Sequence, residues 1–542
     1  MSGTSTSALP KTGLAGLKEN WRGDLLSGFL VFLIALPLCL GIAMASGFPP
    51  SAGIVSAIIG GLLVSRISGS FVTINGPAAG LIVVVYDAVQ SLGEGDAMAG
   101  YRYTLAAIVV ASAFQILMGL SKAGKLSSFF PASVVHGMLA AIGIIIMAKQ
   151  IHVMVGVTPE KGSLFSTIGQ VPYSILHMNH EIALIGAIGL AILIIWSMMK
   201  NRFLKMIPAP LIVVLVGIGF GQFFDLEHEH LYIFQNHEEA VGPKFLVTIS
   251  DNFMSSFYFP DFSKLLTVEF WIAVVSISLV GSLESLLSAL AVDKLDPYKR
   301  HSNLNRDVTA VGVGNLVAGS VGGFPMIAEI VRSSANITNG AKTGWANFFH
   351  GGFLLLFVAL FPFVIHSIPL AALAALLVFT GFRLASPKEF AKTWGVGKEQ
   401  MVMFVVTIIG VIATDLLIGV ALGIITKFAI HIIRGVKLNN LFKIYYTIER
   451  TRVDSVDTIV VKIDGAAIFS NFMSLKSELA NLESGKIVIF QLNDADLLDH
   501  TVMEFFHDFQ HDYELHGGKC DLRGLESHTP YSEHHLAARR SK

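Results

Sequence analysis

The sequence predicts an α-helical membrane protein of about fourteen apolar segments, arranged as a seven-plus-seven inverted repeat with two half-helices and followed by a small cytoplasmic α/β domain. Three observations support this fold class. Hydrophobic residues make up 53% of the 542 residues and charged residues 14%, and the mean hydropathy is +0.65, far from the balance of a soluble domain. Glycine and proline interrupt two of the apolar segments. After Arg434 the hydropathy drops to that of a soluble α/β domain, with buried strands predicted at 458–463 and 486–492 and helices at 475–482 and 503–514.

Charge and cysteine content exclude several classes of protein. The formal net charge is -1 and the sequence has no basic patch, so nucleic-acid binding is not expected. Cys39 lies in an apolar segment and Cys520 near the C-terminus, which makes a disulfide framework implausible. The first apolar run, from Asp24 to about Ser46, is too long for a signal-peptide core and is interpreted as a retained span. A protein of a bacterial inner membrane is therefore expected.

The segments follow from a requirement of roughly 20 apolar residues per span. They start near Asp24, Pro50, Phe71, Tyr101, Ser128, Ile182 and Ile207 in the first set, and near Glu269, Arg306, Met326, Trp345, Ile368, Gln400 and Asp415 in the second. A repeat with an odd number of segments must be inverted relative to its copy. The expected domains are a cytoplasmic segment (1–23), a transmembrane domain (24–435) and a cytoplasmic domain (436–542).

The distribution of charge predicts the orientation. Basic residues such as Lys122, Lys294 and Lys388 fall in alternate loops, which the positive-inside rule places in the cytoplasm. The loop 225–261 is rich in acidic residues and is expected outside. Both termini are then cytoplasmic.

The two interruptions lie in the third segment of each set. They read Asn75-Gly76-Pro77-Ala78 and Gly322-Gly323-Phe324-Pro325. Corresponding breaks in two repeats indicate a shared central site. Half-helices starting near Ala78-Ala79 and Ile327-Ala328 would direct unpaired N–H groups and positive dipole ends at one small anion. The sequence therefore predicts a transporter of small anions rather than an enzyme, with no dedicated cofactor.

Two ionisable residues follow the second interruption. Arg332 could supply positive charge and planar donors to an oxyanion, or it could be structural, paired with Glu329 or a helix carbonyl. Glu329 would repel an anion unless it were protonated or neutralised by a cation, which suits a coupling switch. A simple ion pair with Arg332 is nearly as good an interpretation of Glu329.

Several motifs, in this order, resemble the SulP family of inorganic anion transporters. They are Ala35-Leu36-Pro37, Asn75-Gly76-Pro77, Glu284-Ser285-Leu286-Leu287-Ser288-Ala289, and the stretch from Gly322 to Asn336. The tail resembles the STAS domain of that family. The resemblance implies a core and a gate, a homodimer in the lipid bilayer, and a substrate site between the third and tenth segments. Together with the two half-helix starts, it predicts these substrate-binding residues: Asn75, Gly76, Ala78, Ala79, Ile327, Ala328, Glu329, Ile330 and Arg332.

The resemblance also suggests how transport is coupled. Glu284 occupies the position where the family places its acidic coupling residue, and Ser288 lies one helical turn further on the same face. Glu284, Ser288 and Glu329 are therefore expected to bind sodium or a proton. The alternative for Glu284 is a buried, permanently protonated carboxyl. Apart from sodium at Glu284 and Ser288, no metal is expected, because the histidines show no closed ligand set.

Departures from the family pattern bear on the substrate and on the tail. Leu38 stands where many members have a glutamine, which weakens the case for sulfate, and Asn75 could donate to and accept from bicarbonate. Bicarbonate symport is thus favoured over sulfate symport or anion exchange. The tail reads Leu498-Asp499-His500-Thr501 and lacks the serine that STAS-like regulators phosphorylate. This lack argues against the remaining alternative, a membrane-anchored signalling scaffold.

Overall fold

The computed structural model describes residues 9–122, 131–159, 164–201, 207–234, 237–249, 257–453, 456–479, 482, 485–515 and 517–542. The chain forms two compact units. The first consists of Met1–Gly124 and Ile142–Leu384, and the second of Lys125–Ala141 and Ala385–Lys542.

Helices dominate the chain up to Leu384. In chain order they are α1 (Gly13–Ala45), α2 (Pro50–Ile59), α3 (Ser65–Ile67), α4 (Ile82–Gly93), α5 (Ala97–Leu120), α6 (Ala132–Met154), α7 (Leu164–Leu176), α8 (His180–Met198), α9 (Ala209–Phe223), α10 (Val268–Leu295), α11 (Leu304–Ser320), α12 (Ile330–Thr338), α13 (Trp345–Leu360), α14 (Pro362–His366) and α15 (Leu370–Leu384). The strands of this part are β1 (Ile74–Pro77), β2 (His230–Phe234), β3 (His237–Val241) and β4 (Met326–Glu329).

The rest of the chain adds three helices and then a domain that contains a sheet and two further helices. The helices are α16 (Pro387–Val396), α17 (Lys398–Ala413), α18 (Leu416–Ile433), α19 (Met473–Leu479) and α20 (His500–Leu515). The strands are β5 (Tyr445–Val453), β6 (Val456–Ala467), β7 (Ile487–Gln491), β8 (Ala495–Leu498), β9 (Lys519–Arg523), β10 (His528–Pro530) and β11 (Arg539–Ser541).

Each predicted apolar segment contains a helix of the structure. The predicted start near Ser128 lies outside the described residues, and α6 begins at Ala132. Within the described ranges, eight helical stretches are long and apolar enough to cross a membrane by length and composition. The division into 1–23, 24–435 and 436–542 stays a prediction.

Glycines let the helices of the first unit approach closely. A π-helical turn, Gly60–Val64, continues α2 and packs against α13. A Cβ added to Gly61 would lie 2.5 Å from the Cα of Gly351 in α13, so neither position has room for a side chain. Small residues at helix crossings are the usual basis of packing within a bilayer. This contact holds α13 beside the first interrupted segment.

The second unit contains the predicted α/β domain. Its sheet runs β10-β11-β8-β6-β7-β9, and β5 pairs with β6. The predicted strands 458–463 and 486–492 correspond to β6 and β7, and the predicted helices 475–482 and 503–514 to α19 and α20; residues 480 and 481 lie outside the described part. Apolar side chains of the central strands and both helices form the core, among them Val461, Phe490 and Phe506.

Candidate functional site

The two interrupted segments meet through their backbones. Strands β1 and β4 pair in an antiparallel ladder, with Asn75 opposite Ala328 and Gly76 opposite Ile327. The ladder supplies partners for extended backbone, which is tolerated at membrane depth only when it is buried in protein or lines a cavity. A tight turn, Ala79–Leu81, leads from β1 into α4, and β4 leads directly into α12. Both helix N-termini therefore begin at the ladder.

The start of the second half-helix differs from the prediction. Ile327 and Ala328 are extended residues of β4, and α12 begins at Ile330. The reason is the side chain of Glu329, which acts as the N-cap: its Oε2 accepts a hydrogen bond of 2.7 Å from the backbone N–H of Arg332. A carboxylate is favourable at a helix N-terminus, because it satisfies a free donor and interacts with the positive end of the dipole.

Exposure divides the predicted substrate-binding residues into two groups. Ala79 and Glu329 are partly exposed and Ile330 is 39% exposed. The other predicted residues are buried: Asn75, Gly76, Ala78, Ile327, Ala328 and Arg332. The accessible part of the site is therefore the pair of helix N-termini, and the buried residues support it from within the protein.

The side chain of Arg332 extends from the second interruption to the backbone of the first. Its guanidinium is fully buried, Nη2 donates to the carbonyl of Pro77 at 3.0 Å, and Nη1 contacts Cys39 Sγ at 3.5 Å. Gly76 leaves the space that Nη1 occupies, because a Cβ there would lie 2.7 Å from it. Among the described residues, no carboxylate forms an ion pair with Arg332 and its Nε has no hydrogen-bond partner. The alternative of an ion pair with Glu329 is thus not seen in the described part, and the carbonyl of Pro77 is the main partner of the guanidinium.

Glu284 in α10 faces the first half-helix. Its carboxyl is buried, and Oε2 has no hydrogen-bond partner in the described part of the chain. The carboxyl lies so close to Gly80 that an added Cβ there would be 1.6 Å from Oε1. Ser288, the predicted second member of a cation site, is partly exposed on the same helix. The structure thus places the carboxyl of Glu284 at the N-terminus of one half-helix.

Several polar residues near the interruptions were not predicted. Ser285 Oγ accepts from the N–H of Ala328 at 3.1 Å, so α10 also contacts β4. Asn347 in α13 donates to Asn75 Oδ1 at 3.1 Å, whereas Asn75 Nδ2 has no partner among the described residues. Ser333 Oγ accepts from the N–H of Ile74 at 2.9 Å. These contacts fix the interruptions in place. The only signal in the sequence was that polar residues occur inside apolar segments.

We expect Glu329→Ala to lower the stability of the protein. Alanine cannot accept the hydrogen bond from the N–H of Arg332, and losing an N-cap costs about 0.5–2 kcal/mol. Glu329→Ser is the matched control, because serine is a good N-cap. Thermal unfolding of the purified protein in detergent would measure both. Equal losses in the two variants would show that the cap does not contribute to stability.

An apolar helical protein in which two interrupted helices meet at a central site has the architecture of a membrane transporter. Residues 21–407 match the family model described as the Sulfate permease family. The chain therefore belongs to this family of membrane anion transporters.

Two relatives and one solved structure illustrate the similarity. The "Putative sulfate transporter YvdB" of Bacillus subtilis is 26% identical over 515 residues, covering 94% of this chain and 92% of that protein. The "Bicarbonate transporter BicA" of Picosynechococcus sp. is 25% identical over 427 residues, covering 78% of this chain and 72% of that protein. The structure of SLC26A9 matches with a TM-score of 0.64 and 15% identity, covering 93% of this chain and 84% of that chain.

These comparisons confirm the predicted membrane fold and the family resemblance. The family and both relatives are transporters rather than enzymes, and the substrates are small inorganic anions. The C-terminal sheet domain is compatible with a STAS domain. The number of membrane crossings stays a prediction, as do the roles of the individual site residues.

Proposed function

We propose that this protein takes up bicarbonate by alternating access, driven by a sodium or proton gradient. The observation that carries the proposal is the β1–β4 ladder, which brings two helix N-termini together beside the buried Arg332 and Glu284. The anion binds the N–H groups at the starts of both half-helices, near Ala79 and Ile330. No cofactor takes part, and the coupling ion is the only other ligand.

The charges of the site suit a small anion with one negative charge. Arg332 adds one fixed positive charge behind the two helix N-termini, and its donation to the carbonyl of Pro77 holds it there. Asn75 Nδ2 is a further buried donor close to the ladder. The apolar side chain of Leu38 cannot supply the polar contact that a glutamine at this position would offer to a tetrahedral dianion. The relative named as a bicarbonate transporter is consistent with this choice.

The two carboxyl groups provide the coupling. Glu284 touches the first half-helix at Gly80, and Glu329 caps the second, so two negative charges at the site would repel an incoming anion. Sodium at Glu284 and Ser288, or a proton on Glu284 or Glu329, removes that repulsion. The anion then binds only when the cation is present, and a downhill cation gradient drives uptake.

Sulfate symport is the second candidate, because the relative from Bacillus subtilis is named as a putative sulfate transporter and covers more of the chain. Uncoupled exchange of anions at the same site is a further variant of the proposal. In each case we propose a homodimer in a bacterial inner membrane, with both termini in the cytoplasm.

The test is uptake of labelled bicarbonate into proteoliposomes under an imposed sodium gradient, a proton gradient or no gradient, with sulfate as competitor. Alkaline buffer and short times limit the entry of label as CO₂. We expect a cation gradient to drive uptake that sulfate does not inhibit. Transport of sulfate without transport of bicarbonate would overturn the choice of substrate and leave anion transport standing.

Glu284→Gln tests the coupling. The amide keeps the size of the side chain but cannot ionise, so we expect gradient-driven uptake to fall at least about tenfold, equivalent to about 1.4 kcal/mol. Glu269→Gln, an exposed residue in the first turn of the same helix, is the matched control and should transport normally. A Glu284→Gln protein that transports at full rate without a gradient would instead indicate an exchanger.

A further inference from the structure

A cavity of about 210 Å³ opens where the chain leaves α18 and enters the sheet domain. Its lining includes Arg434, Lys437, Asp496 and Arg540. The volume is below the roughly 300–1,000 Å³ of typical drug-sized ligand sites but several times the roughly 30 Å³ that one water molecule occupies in the liquid. The space therefore suits a single small polar group.

Secondary structure holds the basic groups around this cavity. Arg540 belongs to β11, where it pairs with Leu497 of β8. Gly435 follows the C-cap residue of α18 and has a φ of 87°, and a Cβ added there would lie 3.7 Å from Arg540 Nη2. The backbone of Gly435 thus adjoins the guanidinium of Arg540. The lining therefore combines the segment that follows α18 with residues of β6, β8 and β11, which are distant from it in the chain.

The charged side chains that line the cavity have a net charge of about +1 once the ion pair of Arg434 is set aside. Arg434 is neutralised by Glu399, since its Nη2 lies 2.7 Å from the carboxylate, and its guanidinium stacks on Tyr531. Lys437, Arg540 and Asp496 form no ion pair within the described residues, so two positive charges face one negative charge. A phosphodiester carries one negative charge and would balance this set.

Large apolar side chains beside the cavity are exposed. Ile433 at the end of α18 is 84% exposed, Leu438 is 69% exposed and Phe442 is 72% exposed. Because α18 is long and apolar enough to span a membrane, its end lies at the level of the lipid headgroups. Apolar side chains at that level enter the acyl region, whereas basic groups remain among the headgroups.

We propose that this cavity binds the phosphodiester headgroup of an anionic phospholipid such as phosphatidylglycerol. Lys437 and Arg540 contact the phosphate, while Ile433, Leu438 and Phe442 contact the acyl chains. The exposed apolar side chains favour a lipid over a soluble phosphate ester, which would make no use of them. Basic pockets at the ends of spanning helices are a known means of recognising anionic headgroups.

The test is native mass spectrometry of the full-length protein in detergent, titrated with phosphatidylglycerol or phosphatidylcholine. We expect the wild type to prefer phosphatidylglycerol. Each of Lys437→Gln and Arg540→Gln should weaken that binding about fivefold, and the double variant roughly twenty- to thirtyfold, with phosphatidylcholine binding unchanged. Arg539→Gln is the matched control, because this neighbour in β11 does not line the cavity.

Asp496→Asn keeps the test informative if the other variants fold poorly. Removing the opposing charge should raise the affinity for phosphatidylglycerol about fivefold, a gain that misfolding cannot produce. An equal loss in Arg539→Gln would indicate general surface charge, and the absence of any preference for phosphatidylglycerol would show that there is no site; either result overturns the proposal. Displacement of the lipid by glycerol phosphate alone would point to a soluble ligand and would also overturn it.

Discussion

Asp499→Asn is expected to destabilise the second unit by about 3–5 kcal/mol, because it removes one partner of a buried ion pair. Asp499 is the residue before α20, and its Oδ2 lies 3.0 Å from Lys427 Nζ of α18 and 3.6 Å from His431 Nε2. Lys427 and Asp499 are 2% and 1% exposed, so the asparagine variant leaves an ammonium group buried without a counter-charge. Thermal and denaturant unfolding in detergent would measure the loss.

A second substitution separates charge from packing. In Lys427→Met/Asp499→Asn both charges are gone, and we expect most of the stability to return. Asp457→Asn is the matched control: Asp457 pairs with Arg452 at 2.9 Å on the exposed surface, where an ion pair contributes little, so this variant should unfold nearly like the wild type. If the single and double variants were equally unstable, the charge of Lys427 would not be the cause.

The titration of Asp499 itself should not change the stability of the protein near neutral pH. Burial raises the pKa of Asp499, but the charge of Lys427 and the nearby imidazole of His431 outweigh burial and hold that pKa below its ordinary value. An aspartate with a lowered pKa contributes stability above its unfolded-state pKa and loses it only as the pH falls through the folded-state value. The carboxylate of Asp499 should therefore stay ionised from about pH 5 to about pH 8, and its contribution to stability should be lost only at more acid pH. Unfolding of the wild type measured across and below this range would check this.

Gly80→Ala is expected to reduce coupled uptake at least about tenfold. The added methyl would lie 1.6 Å from Oε1 and 2.3 Å from Cδ of Glu284, so the buried carboxyl must move from the start of α4. Overpacking of this kind costs about 1–3 kcal/mol, and uptake should fall to the level of Glu284→Gln. Proteoliposome uptake and thermal unfolding together measure both effects.

Control variants separate the clash from the change of residue type. Gly352→Ala in α13 adds the same methyl where nothing lies within 4 Å, and it should transport normally. In a Glu284→Ala background the Gly80→Ala substitution should cost little stability, because the clashing carboxyl is absent. If Gly80→Ala were as costly in that background as in the wild type, contact with Glu284 would not explain it.

Composition and the positions of helix-breaking residues predicted much of the fold. Glycine and proline at Gly76, Pro77, Gly323 and Pro325 marked both interruptions, because these residues break helices. The sequence could not show that the extended residues pair in a ladder, since neither segment reads as an ordinary strand. Pairing across such a distance in the chain depends on how the helices pack.

The sequence alone does not predict the directions in which the side chains of the site point. The predicted start of α12 is two or three residues too early, because the capping of Arg332 N–H by Glu329 depends on a local side-chain conformation. Helical spacing groups Ser288 with Glu284 on one face of α10, and their joint role stays a prediction. It gave no reason to choose Ser285, which lies about 100° around the helix and binds the N–H of Ala328. One face of α10 contacts the first interruption, and a neighbouring face contacts the second.

The antiparallel pairing of β1 with β4 has a consequence for membrane voltage. Since α4 leaves one end of the ladder and α12 the other, the two helix dipoles point in opposite directions and largely cancel at a distance. Their fields add only where the N-termini meet. A membrane potential therefore exerts little net force on this pair of helices, although it acts on each moving elementary charge with about 2.3 kcal/mol per 100 mV. The charge moved per transport cycle, measured from the current, should accordingly equal that of the transported ions and of any ionised side chains that move with them. The two helix dipoles should add little to it.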